Sequence, residues 1–446
     1  SYTVFPNGVL QVDKRDEANP ELYYFGKTKP EEYINDSKCM KLPFNCPPVC
    51  NDGHYIEQAE ALLVNWVRKI QPVAEDRRLL FTYLALVFKA VNYKKMILNI
   101  GHSGDNAKSS FFEMGVYSFG SYGLTGDKGL IIKTKKDRVS KAQLDHVRFV
   151  LFEEPDAGKS LDVEFVKDLV GGAIETTGRF NFSNDNHIQL HCKTVLNANT
   201  MTTVQLESAI MNRLLYLAWT AQFVTEDYLV DEDRQIYKAD EKFKTAAYWR
   251  SMNDGFIWLL LNHFRLFELN DNKLKISSRQ VRRTKAELLE NDLFIRWFKE
   301  NFVYLADTPD NRTKFVTQEE VIAEFRKLNP AQQQQIIGQR NYASAKYVKD
   351  MIQVHSAFKA CYRAKVTNWR LTAMERLLPA AKNKSGPNCQ YQRNVLIRFV
   401  SRAEYESGPV LETADLSALP ADEAGRNYYE DEEDEQQVGD EKVDDD

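Results

Sequence analysis

The residues best suited to chemistry lie in the run Gly101-His102-Ser103-Gly104-Asp105-Asn106-Ala107-Lys108-Ser109-Ser110, directly after the apolar stretch Met96-Ile97-Leu98-Asn99-Ile100. Small residues between a strand and a helix let backbone N–H groups turn toward a phosphate. Lys108 supplies a point charge, and the Ser109 hydroxyl can hold Mg²⁺. The run therefore reads as a loop for a nucleoside triphosphate, with Gly104, Asp105, Asn106, Ala107, Lys108, Ser109 and Ser110 as the ATP-binding set. It departs from G-x-x-x-x-G-K-[ST] in that Ala107 stands where Gly precedes Lys, and Gly101 lies one residue too far from Lys108. Ala is the mildest replacement there, provided the backbone does not need a positive φ.

A second element supplies what a triphosphatase needs. In His146-Val147-Arg148-Phe149-Val150-Leu151-Phe152-Glu153-Glu154-Pro155 an apolar strand ends in two carboxylates. One such group holds Mg²⁺ and its neighbour orients the attacking water. Ser109 with Glu153 is the expected metal pair, although the sequence does not decide between Glu153 and Glu154. Leu161 to Gly172, then Arg179, and then the strand Thr194-Val195-Leu196-Asn197-Ala198-Asn199 complete the set.

An acidic-Pro strand end, a short helix ending Lys-x-Leu-x-Gly-Gly, a following Arg and an apolar strand ending in Asn resemble superfamily 3 helicases. The branch they are most similar to is the poxvirus-type viral primase-helicase NTPases, which are AAA+ P-loop ATPases. The family loop reads G-x-G-x-N-G-K-S, matched here at Gly104, Asn106, Lys108 and Ser109, whereas His102 and Ala107 replace glycines. The family's sensor Asn corresponds to Asn199 with its Pro lost, and its Arg-Arg pair survives as Arg213 alone. The resemblance covers about residues 55 to 300, most firmly 95 to 215. It implies catalytic roles for Glu153, Glu154, Asn199 and Arg213, with Arg213 as an arginine finger from the next subunit of a ring, expected to be a homo-hexamer. It implies ATP and Mg²⁺ as cofactors, single-stranded or forked DNA as partner, and a primase module upstream or other replication-fork proteins. DNA replication in a virus-infected cell, in host cytoplasm or nucleus, is the implied setting. The alternatives are an ATPase for genome packaging or origin assembly, or a non-catalytic DNA-binding scaffold on the same fold.

The resemblance implies an α/β fold: a P-loop AAA+ type parallel-sheet core with an N-terminal helical collar and a mostly helical C-terminal region. Periodicity divides the chain into a small lead-in segment (1–54), helical collar (55–93), ATPase core (94–244), helical extension (245–310), winged-helix unit (311–405) and acidic tail (406–446). In the core, strand and helix alternate, so ligands belong at the C-terminal ends of the strands. Ile174 to Phe182 and His187 to Asn197 read as two strands of a hairpin. By analogy with the resembled helicases, Arg179, His187 and Lys193 are its DNA-contact candidates. Thr317 and Glu320 form a capping box, a helix from about Ala343 carries Lys346 and Lys349, and Val395 to Val400 reads as a closing strand. Together these suggest a winged helix able to hold DNA through phosphates.

Composition sets outer bounds. The 446 residues are 43% hydrophobic, which supplies real cores. No apolar run approaches the roughly 20 residues of a membrane span, and no secretory leader opens the chain. Six cysteines fit free thiols in a reducing compartment. Cys39, Cys46, Cys50 and His54 could ligate zinc, but they lack a paired C-x2-C knuckle, and ordinary thiols are the preferred reading. The last 36 residues hold 15 Asp and Glu against Arg426 and Lys442, a charge of −13; with a total of −5, residues 1 to 410 carry +8. That tail self-repels and is expected to be disordered.

Overall fold

The computed structural model describes residues 2–15, 23–27, 38–44, 63–90, 93–101, 104–132, 142–155, 161–171, 175–179, 185–199, 208–306, 308, 311, 314–337, 343–355, 358, 361–366, 392–408 and 411–414. Strands β1 (Tyr2–Phe5), β2 (Gly8–Arg15) and β3 (Tyr23–Gly26) form an antiparallel sheet in chain order. It is fastened to the rest by the buried Arg148, whose guanidinium donates to Thr3 Oγ1 (2.9 Å) and the Tyr2 carbonyl (2.5 Å). The expected collar helices are α1 (63–70) and α2 (Ala74–Ala85). They do not stand apart: Leu63, Trp66, Leu80 and Leu84 share a core with the central sheet.

That sheet contains β4 (Met96–Ile100), β5 (Gly123–Thr125), β6 (Phe149–Glu153), β9 (Lys193–Ala198) and β10 (Leu214–Ala218). Its order is β10-β4-β9-β6-β5, and every pairing is parallel. All residues of β4 and β9 are buried, as expected of strands covered on both faces. Successive residues point to opposite faces. Met96, Leu98, Val150, Phe152 and Leu196 join a core with helix α4 (Val163–Gly171). Ile97, Phe149, Leu151, Val195 and Leu215 join a second core with α2 and with α3 (Lys108–Phe119). The result is the expected α/β unit with a parallel-sheet core, with Gly101, Gly104 to Ser110, the carboxylates and Asn199 together at the C-terminal edge.

Strands β7 (Glu175–Arg179) and β8 (Asp185–Gln189) pair as an antiparallel hairpin. The hairpin's second arm is shorter than the sequence suggests, because the run through Asn197 is two strands, β8 and then core strand β9. Past β10, β11 (Gln222–Val224) and β12 (Ile236–Lys238) pair in parallel. Long helix α5 (Ala246–Leu269) is capped by Thr245 and buries Phe256, Ile257, Leu260 and Phe264 against α2 and α3.

Helix α6 (Ser278–Glu290) opens with a Ser277–Gln280 capping box. It is tied to α2 by Arg283 and Gln280, which both donate to the buried Asp76 at 2.8 Å. Helix α7 (Leu293–Asn301) leads through β13 (Phe302–Tyr304) to β14 (Phe315–Thr317), α8 (Gln318–Arg326), α9 (Pro330–Ile337), α10 (Ser344–Val354), β15 (Tyr362–Val366) and β16 (Gln392–Ile397). The Thr317–Glu320 capping box is present at the start of α8. Strands β14, β16 and β15 pair antiparallel in that order beside these helices. Arg398, at φ 65°, ends β16 and starts β17 (Phe399–Ser401), so the expected single closing strand is divided.

Candidate active site

Helix α3 begins with Ala107 at its N-cap, which has no side-chain oxygen to offer. The Lys108 N–H donates to Asn106 Oδ1 at 3.4 Å, while the next N–H groups of the first turn have no intrahelical partner, the arrangement that attracts an anion. Ala107 is left-handed (φ 58°), as are Asp105 (φ 56°) and Glu154 (φ 39°). Three strained residues around one pocket are what an imposed functional geometry produces. Here the condition on Ala107 fails, since its backbone does need positive φ. Gly101 is required for a different reason: a Cβ there would collide with Asn106 and stand 2.6 Å from Lys108 Nζ.

Lys108 is almost fully buried, and its Nζ donates to Asn199 Oδ1 at 3.2 Å. Asn199 Nδ2 in turn donates to Glu154 Oε1 at 3.0 Å. Burial lowers the lysine to about 8, against the opposing pull of Glu154. The two carboxylates are separated by the strand pleat. Phe149 and Leu151 face α3, so Glu153, two residues on, shares that face. Burial, then the charge of Glu153, raises the Glu113 carboxyl on α3 above its ordinary value. Glu154 instead turns into the pocket with Asn199. Glu153 is therefore disposed toward the helix that carries Ser109, and Glu154 toward the loop and Lys108.

The cavity over these groups measures roughly 450 Å³, within the few hundred to a thousand of small-molecule sites. Gly104 to Ser110, Glu154, Asn197 and Asn199 line one end; β11 with Thr225, Glu226 and the Asp240–Lys244 segment lines the other. Strand β11 is tied to the loop by Phe223 N–H donating to the Asp105 carbonyl at 2.7 Å. The donor-rich helix end, one buried cation and the Glu154 carboxylate line the cavity and fit a triphosphate, while Glu153 flanks it on the α3 side of β6 and, with Ser109, offers oxygen donors of the kind Mg²⁺ takes. Among the described residues a buried oxygen of Glu153 and the buried Nδ2 of Asn197 have no hydrogen-bond partner, so polar capacity remains to be met.

Arg213 lies elsewhere. Its carbonyl accepts from Met96 N–H at the N-terminal end of β4, the opposite edge of the sheet. The length of a five-residue strand, roughly 16 Å, separates it from the phosphate loop of its own chain. Of the DNA-contact candidates, Arg179 and His187 fall on the hairpin strands, where the backbone alone is described. Lys193 is a correction. It begins core strand β9, is 1% exposed, and donates to the carbonyls of Lys89 (2.6 Å) and His191 (3.1 Å). Burial pushes its amine well below the usual range, and with its Nζ held inward by those carbonyls it is not accessible to DNA. Of the zinc candidates, Cys39 is half-buried and in no disulfide among the described residues, and Cys46, Cys50 and His54 lie outside the described residues, as does the acidic tail beyond 414.

Sequence reasoning missed Asn99, Asn197 and Glu113. The first two had a legible signal: an amide inside an otherwise apolar, fully buried strand is costly and calls for a partner.

Comparison with known proteins gives a viral relative. The chain is 22% identical over 244 residues to "Putative helicase L207/L206" of Acanthamoeba polyphaga mimivirus. The match takes in 50% of this chain and 25% of that protein, so the chain spans about a quarter of its relative's length. No family model matches. Two apo structures of the NrS-1 C-terminal region align over 86% of this chain and 84% of theirs, with TM-scores of 0.37 and 0.38 at 11% and 12% identity. Among the described residues no helix is long and apolar enough to cross a membrane.

Proposed function

We propose that the chain is a DNA-dependent nucleoside triphosphatase of superfamily 3 helicase type, binding ATP in the pocket at the C-terminal edge of the central sheet. The observation that carries this is the convergence on one edge of the uncapped α3 N-terminus, Lys108, Glu153 and Glu154. The helicase name of the mimivirus protein supports the same reading.

In this mechanism the backbone amides from Gly104 to Lys108 and the Lys108 ammonium hold the β- and γ-phosphates. Ser109 and Glu153 would hold Mg²⁺, which when bound neutralises phosphate charge. Asn199 releases Lys108 to the nucleotide and keeps Glu154 aimed at the attacking water. Glu154 accepts that water's proton as its oxygen bonds to the γ-phosphorus and the bond to the β-phosphate oxygen breaks. Arg213 faces away from its own site, so it serves the neighbouring subunit of a ring, where such a cation contributes about 10³ to 10⁵ in rate. Movement of the β7–β8 hairpin, with Arg179 and His187, transmits turnover to DNA. The winged-helix unit, with Lys346 and Lys349 exposed on α10, grips phosphates.

Lys108→Ala and Arg213→Ala should each abolish hydrolysis, and mixing the two inactive proteins should restore part of it. Full activity in a monomer would contradict the shared site. A forked DNA substrate separates unwinding from packaging or origin assembly: strand displacement dependent on ATP is the result expected here.

A further inference from the structure

A row of buried polar groups crosses the sheet beneath the phosphate loop. Trp219, just past β10, donates from Nε1 to Asn99 Oδ1 on β4 at 2.9 Å, and Asn99 Nδ2 donates to Asn197 Oδ1 on β9 at 3.1 Å. All three are at most 2% exposed. The next strand in register is β6, where Asn197 pairs with Glu153. Asn99, Asn197 and Glu153 follow Ile97, Val195 and Leu151 by two residues, so all three lie on the α3 side.

The direction of this row is fixed by chemistry. An indole nitrogen can only donate, so Asn99 must turn its oxygen to Trp219 and its NH₂ to Asn197. Asn197 must then receive through its oxygen, which leaves its own NH₂ outward. Among the described residues, that Nδ2 and Glu153 Oε1 are both buried and without a partner, on register-paired residues. A donor with no acceptor thus stands beside an acceptor with no donor, each costly to leave unmet.

We infer that Trp219, Asn99 and Asn197 form a positioning relay that presents an amide N–H to Glu153, directly or through one water, and thereby sets the carboxylate that would hold Mg²⁺. The inference rests on the nucleotide reading of the site and deepens it. Polar partners behind a ligating carboxylate fix its orientation, and losing one lowers metal affinity about 10- to 100-fold. Trp219 also packs on Phe111 and Phe112 of α3, so its indole is held in place by the helix that carries Ser109.

Trp219→Phe keeps an aromatic ring and removes the donor; Asn99 is then free to rotate and the relay loses its sense. The test is equilibrium Mn²⁺ binding, read by electron paramagnetic resonance with a non-hydrolysable ATP analogue, on the full chain. Metal affinity should fall about 10- to 100-fold in Trp219→Phe and in Asn197→Ala. Affinity for the analogue without metal should stay within about twofold, and Trp258→Phe, on α5, should change neither. Unchanged Mn²⁺ affinity in both relay variants, with cooperative melting intact, overturns the relay while leaving the nucleotide site standing. Equal loss of metal-free and metal-bound affinity also overturns it, because that marks general damage. A wild-type protein that binds neither analogue nor Mn²⁺ removes the site itself and the relay with it.

Discussion

Lys108 and Asn199 are joined by a 3.2 Å hydrogen bond between the phosphate loop and the end of β9, and Asn199 passes the connection on to Glu154. The amide thus restrains both the Lys108 ammonium and the Glu154 carboxylate. Asn199 is solvent-exposed, so its loss should cost little stability. Asn199→Ala should lower kcat by about 10²- to 10³-fold, as for removal of a single positioned polar group in a reaction site, with a smaller change in KM. Steady-state kinetics alongside a denaturation curve check both halves.

Ala107 occupies a left-handed position, φ 58°, that glycine adopts without steric cost. Alanine in that conformation costs roughly 1–2 kcal/mol, and glycine's extra chain entropy offsets roughly 0.5–1 of it. Ala107→Gly should therefore stabilise the protein by up to about 1 kcal/mol and tighten nucleotide binding modestly. Ala107→Val, β-branched at positive φ, should destabilise it. Urea titrations with an unchanged slope would measure the difference.

The lowered Lys108 amine makes two pH trends run in opposite directions. Folded Lys108 loses its proton near pH 8, whereas the unfolded chain keeps it until about 10.5. Between those values the unfolded state binds more protons, so the lysine's unfavourable contribution fades and stability rises with pH. Nucleotide affinity needs the charged amine and should fall over the same window. Burial also lowers Lys95, the Arg213 charge adding to it, to about 8, so the comparison is wild type against Lys108→Met, with affinity and melting temperature measured from pH 7 to 10.

Lys193 and the hairpin residues should separate cleanly. Lys193→Ala leaves two buried carbonyls without donors and opens a cavity, so a stability loss of about 2–4 kcal/mol is expected, with DNA affinity of the folded protein unchanged. Arg179→Ala with His187→Ala should do the reverse, weakening single-stranded DNA binding and its salt dependence. Salt titrations on all three variants give the answer.

Much of this fold is legible because its signals are local. The apolar runs Met96 to Ile100 and Phe149 to Phe152, Thr317 with Glu320, and the helical spacing through Leu79 to Leu86 each report their own element. What was hidden depends on distant partners. His187 to Asn197 reads as one continuous strand, and only the pairing of Lys193 to Ala198 with β4 and β6 makes it two. Lys193 resembled a surface cation for the same reason. The division of labour between Glu153 and Glu154 came from the strand pleat and the φ of Glu154, and the Trp219–Asn99–Asn197 row joins residues up to 120 positions apart.

The most direct test of the central claim is phosphate release from ATP and Mg²⁺ by the purified chain, with and without single-stranded DNA, beside Lys108→Ala and Glu154→Gln. The account predicts turnover that DNA stimulates and that both substitutions abolish. Absence of hydrolysis in the wild type, or hydrolysis that survives Lys108→Ala, would contradict it.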